Sequence, residues 1–223
     1  MYKIIKRLFD VIFGVIAIVF FIPLFLPIAI ILKFTFEGEV FYLQERIGFK
    51  NKKFKIIKFA TMLKDSPKIG SGMITTVNDS RVSPIGKYLR SSKINELPQI
   101  FNIIKGDISF VGPRPLVEPM FNHYSLEIQK NIYKVKPGLT GIGSIVFRDE
   151  ESLFKLSKTN DLHKFYKENI SPYKGKLESW YRKNSSFTVD FLIIFFTAYA
   201  IIFPKSDYYR KVFKTLPKKP KNL

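Results

Sequence analysis

The sequence predicts an α+β protein held on one face of a membrane, that is, a monotopic membrane protein with a compact domain outside the bilayer. Three observations support this class: an uncharged N-terminal segment, short strand and helix patterns in the middle of the chain, and a basic composition with 37 Lys and Arg against 18 Asp and Glu. The expected parts are a re-entrant membrane helix at residues 1–34, a compact domain at 35–186, an interfacial amphipathic helix at 187–204 and a basic tail at 205–223.

The N-terminal segment is predicted to enter a membrane. Val11 to Leu32 carries no charge, and about 20 apolar residues suffice to span a hydrocarbon core of about 30 Å. Pro23 and Pro27 each remove a helical hydrogen bond inside it. Basic residues both precede and follow the segment, whereas a spanning helix would leave positive charge on both sides of the membrane. We therefore expect the helix to break near Ile22 and Pro23 and return to the cytoplasmic face, with a plain spanning helix as the alternative.

The middle of the chain alternates short strand and helix signals. "EVFYLQERIG" and "KFKIIKF" are typical of two strands around a basic turn, and residues 64–83 are polar and predict a mobile loop. Further helices are expected at "SPIGKYLRSS", from Asn95 to Lys105 with Gly106 as the C-terminal cap, and from Pro115 to Tyr133, followed by a turn and a strand-like run after "KPGLTG".

The C-terminal part repeats the apolar signal more weakly. Phe187 to Phe203 is too short to span a bilayer comfortably and contains Asp190, so an interfacial helix is expected, with a core helix as the alternative. The Lys-rich tail after Pro204 favours a headgroup-binding or disordered end.

Composition excludes several kinds of site. The chain has no cysteine, so disulfides and thiolate metal sites are absent, and its two histidines are too far apart in sequence for an HExxH zinc motif. The net charge of +19 requires an anionic partner: nucleic acid, a phosphate-bearing substrate or anionic lipid headgroups. We expect no nucleic acid, because the aromatic residues lie in apolar runs and form no stacking platform.

Residues 87 to 115 contain the densest set of polar signals. Asn95 fits a helix N-cap, Glu96 complements the helix dipole and Pro98 is tolerated in the first turn. A capped helix does not explain the charged residues on either side of it. These are Lys87, Arg90, Lys93, Asp107 and Arg114. Cations beside a helix N-terminus suit phosphate, and a carboxylate among them suits a divalent cation or attack on phosphorus. Two readings stay open: a phosphate-handling site, or a capped helix with a solvated basic face.

The motifs of the chain resemble the bacterial sugar transferase family, the small monotopic polyprenyl-phosphate phosphoglycosyl transferases. The resemblance rests on "KRLFD" at 6–10, "RIG" at 46–48, "KFATM" at 58–62, "LRSSKINELPQIFNIIKGDISFVGPRP" at 89–115 and "KPGLTG" at 136–141. It implies transfer of a phosphosugar from a UDP-sugar to a membrane polyprenyl phosphate such as undecaprenyl phosphate, with release of UMP. It further implies Mg²⁺ as cofactor, the cytoplasmic face of the bacterial inner membrane, and the first membrane step of a lipid-linked glycan; the oligomeric state is left open.

The sequence departs from the family at the centre of the motif, where Asn95-Glu96 replaces the usual Asp-Glu and an amide cannot act as the nucleophile. Three accounts remain: Glu96 attacks phosphorus, Glu96 acts through Mg²⁺ or as a base while the lipid phosphate attacks, or the chain binds UDP-sugar or polyprenyl phosphate without turnover. The candidate catalytic residues are Glu96, Asn95, Arg90 and Asp107, with Glu96 and Asn95 as the metal ligands.

The candidate substrate-binding residues are Arg114, Pro113, Lys58, Lys87, Arg148, Lys6 and Arg7. Arg148 follows a second departure, after "KPGLTG", and is either a phosphate or uridine contact or a surface charge. Lys6 and Arg7 are expected to meet the lipid phosphate, with Asp10 paired to Arg7 three residues away; a snorkelling anchor is the alternative.

Overall fold

The computed structural model describes residues 1–35, 37–70, 72, 74–76, 78–156, 161–204 and 206–220. Its first element is helix α1 (Tyr2–Phe34), within which both Pro23 and Pro27 lie. The predicted break near Ile22 is therefore wrong as an interruption of the helix, because the helical conformation continues through both prolines. Among the described residues, α1 alone is long and apolar enough to cross a membrane by length and composition.

The predicted strand pair is confirmed as an antiparallel hairpin of β1 (Phe41–Ile47) and β2 (Lys53–Phe59). The turn between them places Lys50 and Asn51 at positive φ, in the left-handed region. Both faces of β2 contain a buried residue, since Ile56 is 3% and Phe59 is 1% exposed and successive side chains point to opposite faces. The hairpin thus presents one face to α1, through the contact between the rings of Phe59 and Phe25.

The segment predicted as a mobile loop is organised around one buried arginine. Arg81 pairs with Asp79 and donates hydrogen bonds to the carbonyl oxygens of Ser66, Ile69 and Ile74, each at 2.8 Å. A guanidinium with that many partners pins the segment, so the described part of residues 64–83 is held rather than loose.

Helix α2 (Pro84–Ser91) is confirmed, but the next helix starts later than predicted. A 3₁₀ turn at Ile94–Glu96 precedes α3 (Gln99–Lys105), whose N-cap is Pro98. Asn95 therefore does not cap α3, and its side chain is buried in the 3₁₀ turn instead. Gly106 is the C-terminal cap as predicted, at φ 94°.

A short parallel sheet follows, formed by β3 (Ser109–Val111) and β4 (Gly138–Thr140). The two strands cross closely, because a Cβ on Gly138 would lie 2.0 Å from the backbone nitrogen of Gly112. Between them, the single helix predicted from Pro115 to Tyr133 is wrong. Two short helices are present, α4 (Glu118–Phe121) and α5 (Leu126–Ile132), because Ser125 starts a new helix by capping Ile128.

The C-terminal half is mostly helical. The strand-like run predicted after "KPGLTG" is wrong, because the chain turns helical directly after β4, at α6 (Ile142–Val146). The further elements are α7 (Glu150–Leu156), α8 (Leu162–Phe165), a π turn at Tyr166–Ile170, α9 (Ser171–Asn184), α10 (Phe187–Ile202) and α11 (Tyr209–Val212).

The apolar C-terminal helix packs on the core along one face, as the core-helix alternative predicts, while its interfacial location stays a prediction. α10 buries Ile193 and Phe196 in the main core, while Phe191 and Ile202 on other faces are 65% and 72% exposed. The tail is not a disordered end over its described part, because Phe213 is buried and packs on the Trp180 ring. A second, smaller core joins α1 to β2 and α2.

Candidate active site

Three of the candidate site residues, Glu96, Arg114 and Lys58, lie in direct contact in the structure. Arg114 Nη2 lies 2.7 Å from Glu96 Oε1, and Lys58 Nζ lies 3.3 Å from the same oxygen. The 3₁₀ turn before α3 positions Glu96, β2 positions Lys58, and the segment after β3 positions Arg114. The Arg114 side chain keeps 30% of its surface exposed, so it is the member of the group that solvent and a ligand reach most readily.

The ionisation of this group follows from burial and mutual charge. Burial would raise the pKa of Glu96, but Arg114 and Lys58 together hold it well below its usual range. Burial also lowers the pKa of Lys58 to about 7, although Glu96 opposes that shift. Glu96 raises the pKa of Arg114 above its usual value. The carboxylate is therefore ionised at neutral pH and is a weak base in this state.

Arg46 is a member of the site that sequence reasoning named only within the "RIG" motif. Its Nη1 donates to the Pro115 carbonyl oxygen at 3.1 Å, and its Nε donates to Gln44 at 3.1 Å. Burial and the nearby charge of Arg114 lower the pKa of Arg46 to about 10. Arg114 and Lys58 contact the Glu96 carboxylate and Arg46 interacts with it electrostatically, so even the two guanidiniums alone leave an excess of positive charge suited to a diphosphate.

The segment Pro113-Arg114-Pro115 is held at every backbone polar group. Glu178 Oε1 accepts from the Arg114 N–H at 3.3 Å, and the Tyr133 hydroxyl donates to the Arg114 carbonyl at 2.8 Å. Gly138 N–H donates to the Pro113 carbonyl at 2.9 Å, so the two prolines, which have no N–H, leave nothing unpaired here.

Asn95 lies beside Glu96 in the same turn and is 6% exposed. Its Oδ1 is buried with no hydrogen-bond partner among the described residues, which makes it an acceptor in need of a donor or a cation. No group of three or more His, Cys, Asp or Glu that could hold a metal occurs in the described part of the chain. Mg²⁺ commonly uses one or two protein oxygens plus substrate phosphates, so Glu96 and Asn95 fit it in that mode.

Three other predicted site residues lie around the helices that flank this group. Asp107 follows α3, pairs with Lys105 at 3.2 Å and accepts from Asn102 at 3.0 Å, so the length of α3 separates it from Glu96. Arg90 Nη1 contacts Met62 Sδ at 3.6 Å, and Lys87 is exposed on α2.

The residues predicted to meet the lipid phosphate make contacts within the chain, and their role toward the lipid stays a prediction. Arg7 donates to the carbonyl oxygens of Ile103 and Ile104, at 2.6 Å each, and so caps the C-terminal end of α3. Asp10 accepts from the Ser109 hydroxyl at 2.9 Å and from the Phe110 N–H at 3.1 Å. The expected Arg7–Asp10 pair is therefore wrong as a direct contact, because each side chain has a partner on the compact domain.

Lys6 joins the two apolar helices of the chain. It forms an ion pair with Asp190 of α10 and donates to the Val111 carbonyl at 2.8 Å, while Tyr2 and Tyr181 donate to Asp190 at 2.7 and 2.6 Å. From the sequence alone, Asp190 is only a charge that interrupts an apolar segment. Its charge is now explained by a buried network at the junction of α1 and α10.

Arg148 lies half-buried between α6 and α7, and its Nη1 is buried without a hydrogen-bond partner in the described residues. Nearby in sequence, Glu150 pairs with the buried Lys174 at 2.8 Å and contributes to the charge environment of Arg114. A purely surface role for Arg148 is therefore wrong, because part of its guanidinium is enclosed.

Comparison with known proteins identifies the family. The sequence model described as bacterial sugar transferase matches residues 1–204. The chain belongs to the bacterial sugar transferase family. The family resemblance drawn from the sequence motifs is thereby confirmed.

Three relatives illustrate what this sugar transferase family member is similar to. UDP-N-acetylgalactosamine-undecaprenyl-phosphate N-acetylgalactosaminephosphotransferase of Aeromonas hydrophila is 35% identical over 205 residues, which cover 90% of this chain and 44% of the relative. Exopolysaccharide production protein ExoY of Rhizobium meliloti (strain 1021) is 32% identical over 217 residues, covering 91% and 88%. UDP-glucose:undecaprenyl-phosphate glucose-1-phosphate transferase of Klebsiella pneumoniae is 34% identical, covering 91% and 41%. The chain thus spans less than half of two of these relatives and most of ExoY.

Proposed function

We propose that this chain transfers a sugar phosphate from a UDP-sugar to a polyprenyl phosphate, such as undecaprenyl phosphate, and releases UMP. The observation that carries the proposal is the cluster in which Arg114, Lys58 and Arg46 surround the ionised Glu96. Its excess positive charge suits a diphosphate, and its carboxylate suits chemistry at phosphorus. The names of the Aeromonas and Klebsiella relatives, which pair a UDP-sugar with undecaprenyl phosphate, support the same reaction.

The geometry points to an exchange of partners on substrate binding. In the described structure the cations neutralise Glu96, and a bound diphosphate would compete for the same N–H groups of Arg114 and for Lys58. Released from its ion pairs, a Glu96 oxygen would attack the phosphorus that carries the sugar. The bond to UMP breaks, and UMP leaves with the electron pair. The acceptor phosphate would then displace Glu96. Direct attack by the acceptor, with Glu96 as a ligand or base, is the second route.

Mg²⁺ is part of the proposal. Glu96 and the unpaired Asn95 Oδ1 would hold it together with the diphosphate oxygens, where it would neutralise developing charge on the leaving UMP. Without substrate, Arg114 and Lys58 compete with a cation for Glu96, so Mg²⁺ would bind mainly with the diphosphate.

The reaction is tested by UMP release from purified protein with Mg²⁺, undecaprenyl phosphate and a panel of UDP-sugars, with UMP resolved from UDP. Glu96→Gln should lose the release, whereas Glu118→Gln, which breaks an exposed pair with Lys53 (2.7 Å), should retain it. UDP binding without UMP release from any donor would reject catalysis in favour of a binding protein. In that case, activity gained by Asn95→Asp would identify the amide as the cause.

We further propose that α1 is re-entrant and that the compact domain lies on the cytoplasmic face of the bacterial inner membrane, in contact with anionic headgroups. Contacts near both ends of α1 support this topology, because they involve the same domain: Arg7 caps α3, and Leu32, 3% exposed, lies in the smaller core with Phe59 of β2. A spanning helix would carry its two ends to opposite faces of the bilayer, about 30 Å apart.

The topology is testable without background labelling, since the chain has no cysteine. Position 3 lies in the first turn of α1, and position 37 follows its last residue. The single variants Lys3→Cys and Glu37→Cys should both react with a membrane-impermeant maleimide only from the cytoplasmic side. Labelling of one of them from the periplasm would show that α1 spans the membrane.

A further inference from the structure

In the interior behind Arg114, two buried side chains from different helices hold one backbone position. Glu178 on α9 is 1% exposed, and Tyr133 at the end of α5 is also 1% exposed. Neither touches the Glu96 side chain through a described contact, yet each binds the Arg114 backbone directly.

We propose that Tyr133 and Glu178 are positioning residues that aim the Arg114 side chain, one by donating to its carbonyl and the other by accepting from its N–H. The inference rests on the proposed function, in which Arg114 binds the diphosphate. It assigns no chemical step to either residue.

We call Tyr133 and Glu178 the Arg114 clamp, because they bind the carbonyl and the N–H of the same residue. The Tyr133 hydroxyl accepts from the Leu116 N–H at 3.1 Å while it donates to the Arg114 carbonyl, so its single proton is committed to Arg114. Glu178 lies against α6, because a Cβ on Gly143 would come within 2.3 Å of its Oε1. A glycine at 143 therefore leaves the space that the carboxyl group occupies.

The clamp matters because the fork of a guanidinium recognises phosphate only in a defined orientation. Displacement of a positioned group by about 1 Å can reduce a rate about 100-fold. The flanking prolines fix the backbone angle φ at positions 113 and 115, and the clamp fixes the peptide groups between them.

The chain offers a closely matched control in Tyr173. It is 2% exposed in the same core, its hydroxyl donates to the Pro217 carbonyl at 3.0 Å, and it accepts from Arg210 at 3.0 Å. Tyr173→Phe and Tyr133→Phe thus remove the same chemical group from equally buried sites, and only Tyr133 binds Arg114.

The experiment measures the Kd for UDP, and kcat and KM for UMP release, on the full chain in detergent. Tyr133→Phe is expected to weaken UDP binding about ten-fold, roughly the loss of one charge-assisted hydrogen bond between a misaligned Arg114 and phosphate. Tyr173→Phe should remain within about two-fold of the parent, because its hydroxyl contacts neither Arg114 nor the site. Glu178→Gln, which keeps an acceptor oxygen, should retain UDP affinity that Glu178→Leu loses.

A double-mutant cycle with Arg114→Lys separates positioning from a general structural effect. If Tyr133 acts through Arg114, Tyr133→Phe should change UDP binding little in the Arg114→Lys background. An equal loss in both backgrounds, or equal effects of the two tyrosine variants, would overturn the inference. UMP release by the parent chain is a separate result, and its absence would reject the proposed reaction. The UDP affinities of the variants would still show whether Tyr133 and Glu178 position Arg114.

Discussion

Replacing Glu96 by Gln is expected to strengthen binding of UDP while abolishing turnover. The carboxylate occupies Arg114 and Lys58, which lie 2.7 and 3.3 Å from its Oε1, so a diphosphate must compete with it for the same cations. With the negative charge removed, that competition and the repulsion between carboxylate and phosphate both disappear, although the shape of the side chain is kept.

The size of the effect follows from the geometry. Charge repulsion alone gives a lower bound: even a phosphate on the edge of the Arg114 guanidinium away from Glu96 would lie about 8 Å from it, where a unit charge contributes about 2 kcal/mol at an effective dielectric constant of about 20. Arg114 is 30% exposed, so solvent screening reduces this to about 1 kcal/mol, or roughly five-fold in Kd.

The assay is UDP titration in EDTA, which removes any contribution of Mg²⁺, with Glu118→Gln as the matched carboxylate-to-amide control. Glu96→Gln should bind UDP about five-fold more tightly while its UMP release falls by at least about 100-fold. If Glu96→Gln instead bound UDP about three-fold or more weakly in EDTA, Glu96 would not compete with the diphosphate for Arg114 and Lys58. The diphosphate would then bind elsewhere.

Three further outcomes are expected. Asp190→Asn leaves the Lys6 ammonium without its buried partner and should lower the free energy of unfolding in detergent by about 3 kcal/mol; a loss below about 0.5 kcal/mol would contradict the buried network. Burial raises the pKa of Glu178 to about 7 from its usual 4.5. The folded state therefore favours the protonated carboxyl: its contribution to the free energy of unfolding is complete below pH 4.5 and is lost as pH rises through 7. Glu178→Gln should therefore be more stable than the parent at pH 8, by up to about 3 kcal/mol, and similar at pH 4; parallel stability curves would argue against the shift. Gly138→Ala places a Cβ 2.0 Å from Gly112 N and should cost more than about 4 kcal/mol, measured by thermal unfolding, whereas a cost below about 1 kcal/mol would show that the strands can separate.

Local patterns predicted the elements whose signals are contained within a few residues. The β1–β2 hairpin, helix α2 and the Gly106 cap were predicted correctly, because alternation and capping act over short distances. The N-cap role of Asn95 failed for an equally local reason. Pro98 starts α3, and the 3₁₀ turn before it already bonds Leu97 N–H to the Ile94 carbonyl, so Asn95 is one turn too early to cap.

The candidate site was predictable only where the motif itself contains the contacts. Glu96 and Arg114 are 18 residues apart, and both lie in the stretch that the sequence singled out. Of the two contacts that hold the Arg114 backbone, Tyr133 is 19 residues away, whereas Glu178 is 64 residues away and reaches it only through the packing of α9. Likewise, the Lys6–Asp190 pair joins positions 184 residues apart. Composition and spacing contain no signal for such contacts.

The short length of α3 has a consequence for how a lipid substrate would be handled. The helix has seven residues and rises about 10 Å; Arg7 of the apolar helix α1 binds its last carbonyls, and Glu96 precedes its first turn. In the proposed membrane arrangement, a reaction at Glu96 would therefore take place about one headgroup layer from the apolar phase. An acceptor with a long hydrocarbon tail can present its phosphate there with the tail still immersed, which avoids a hydration cost of about 0.8 kcal/mol for every CH₂ drawn into water.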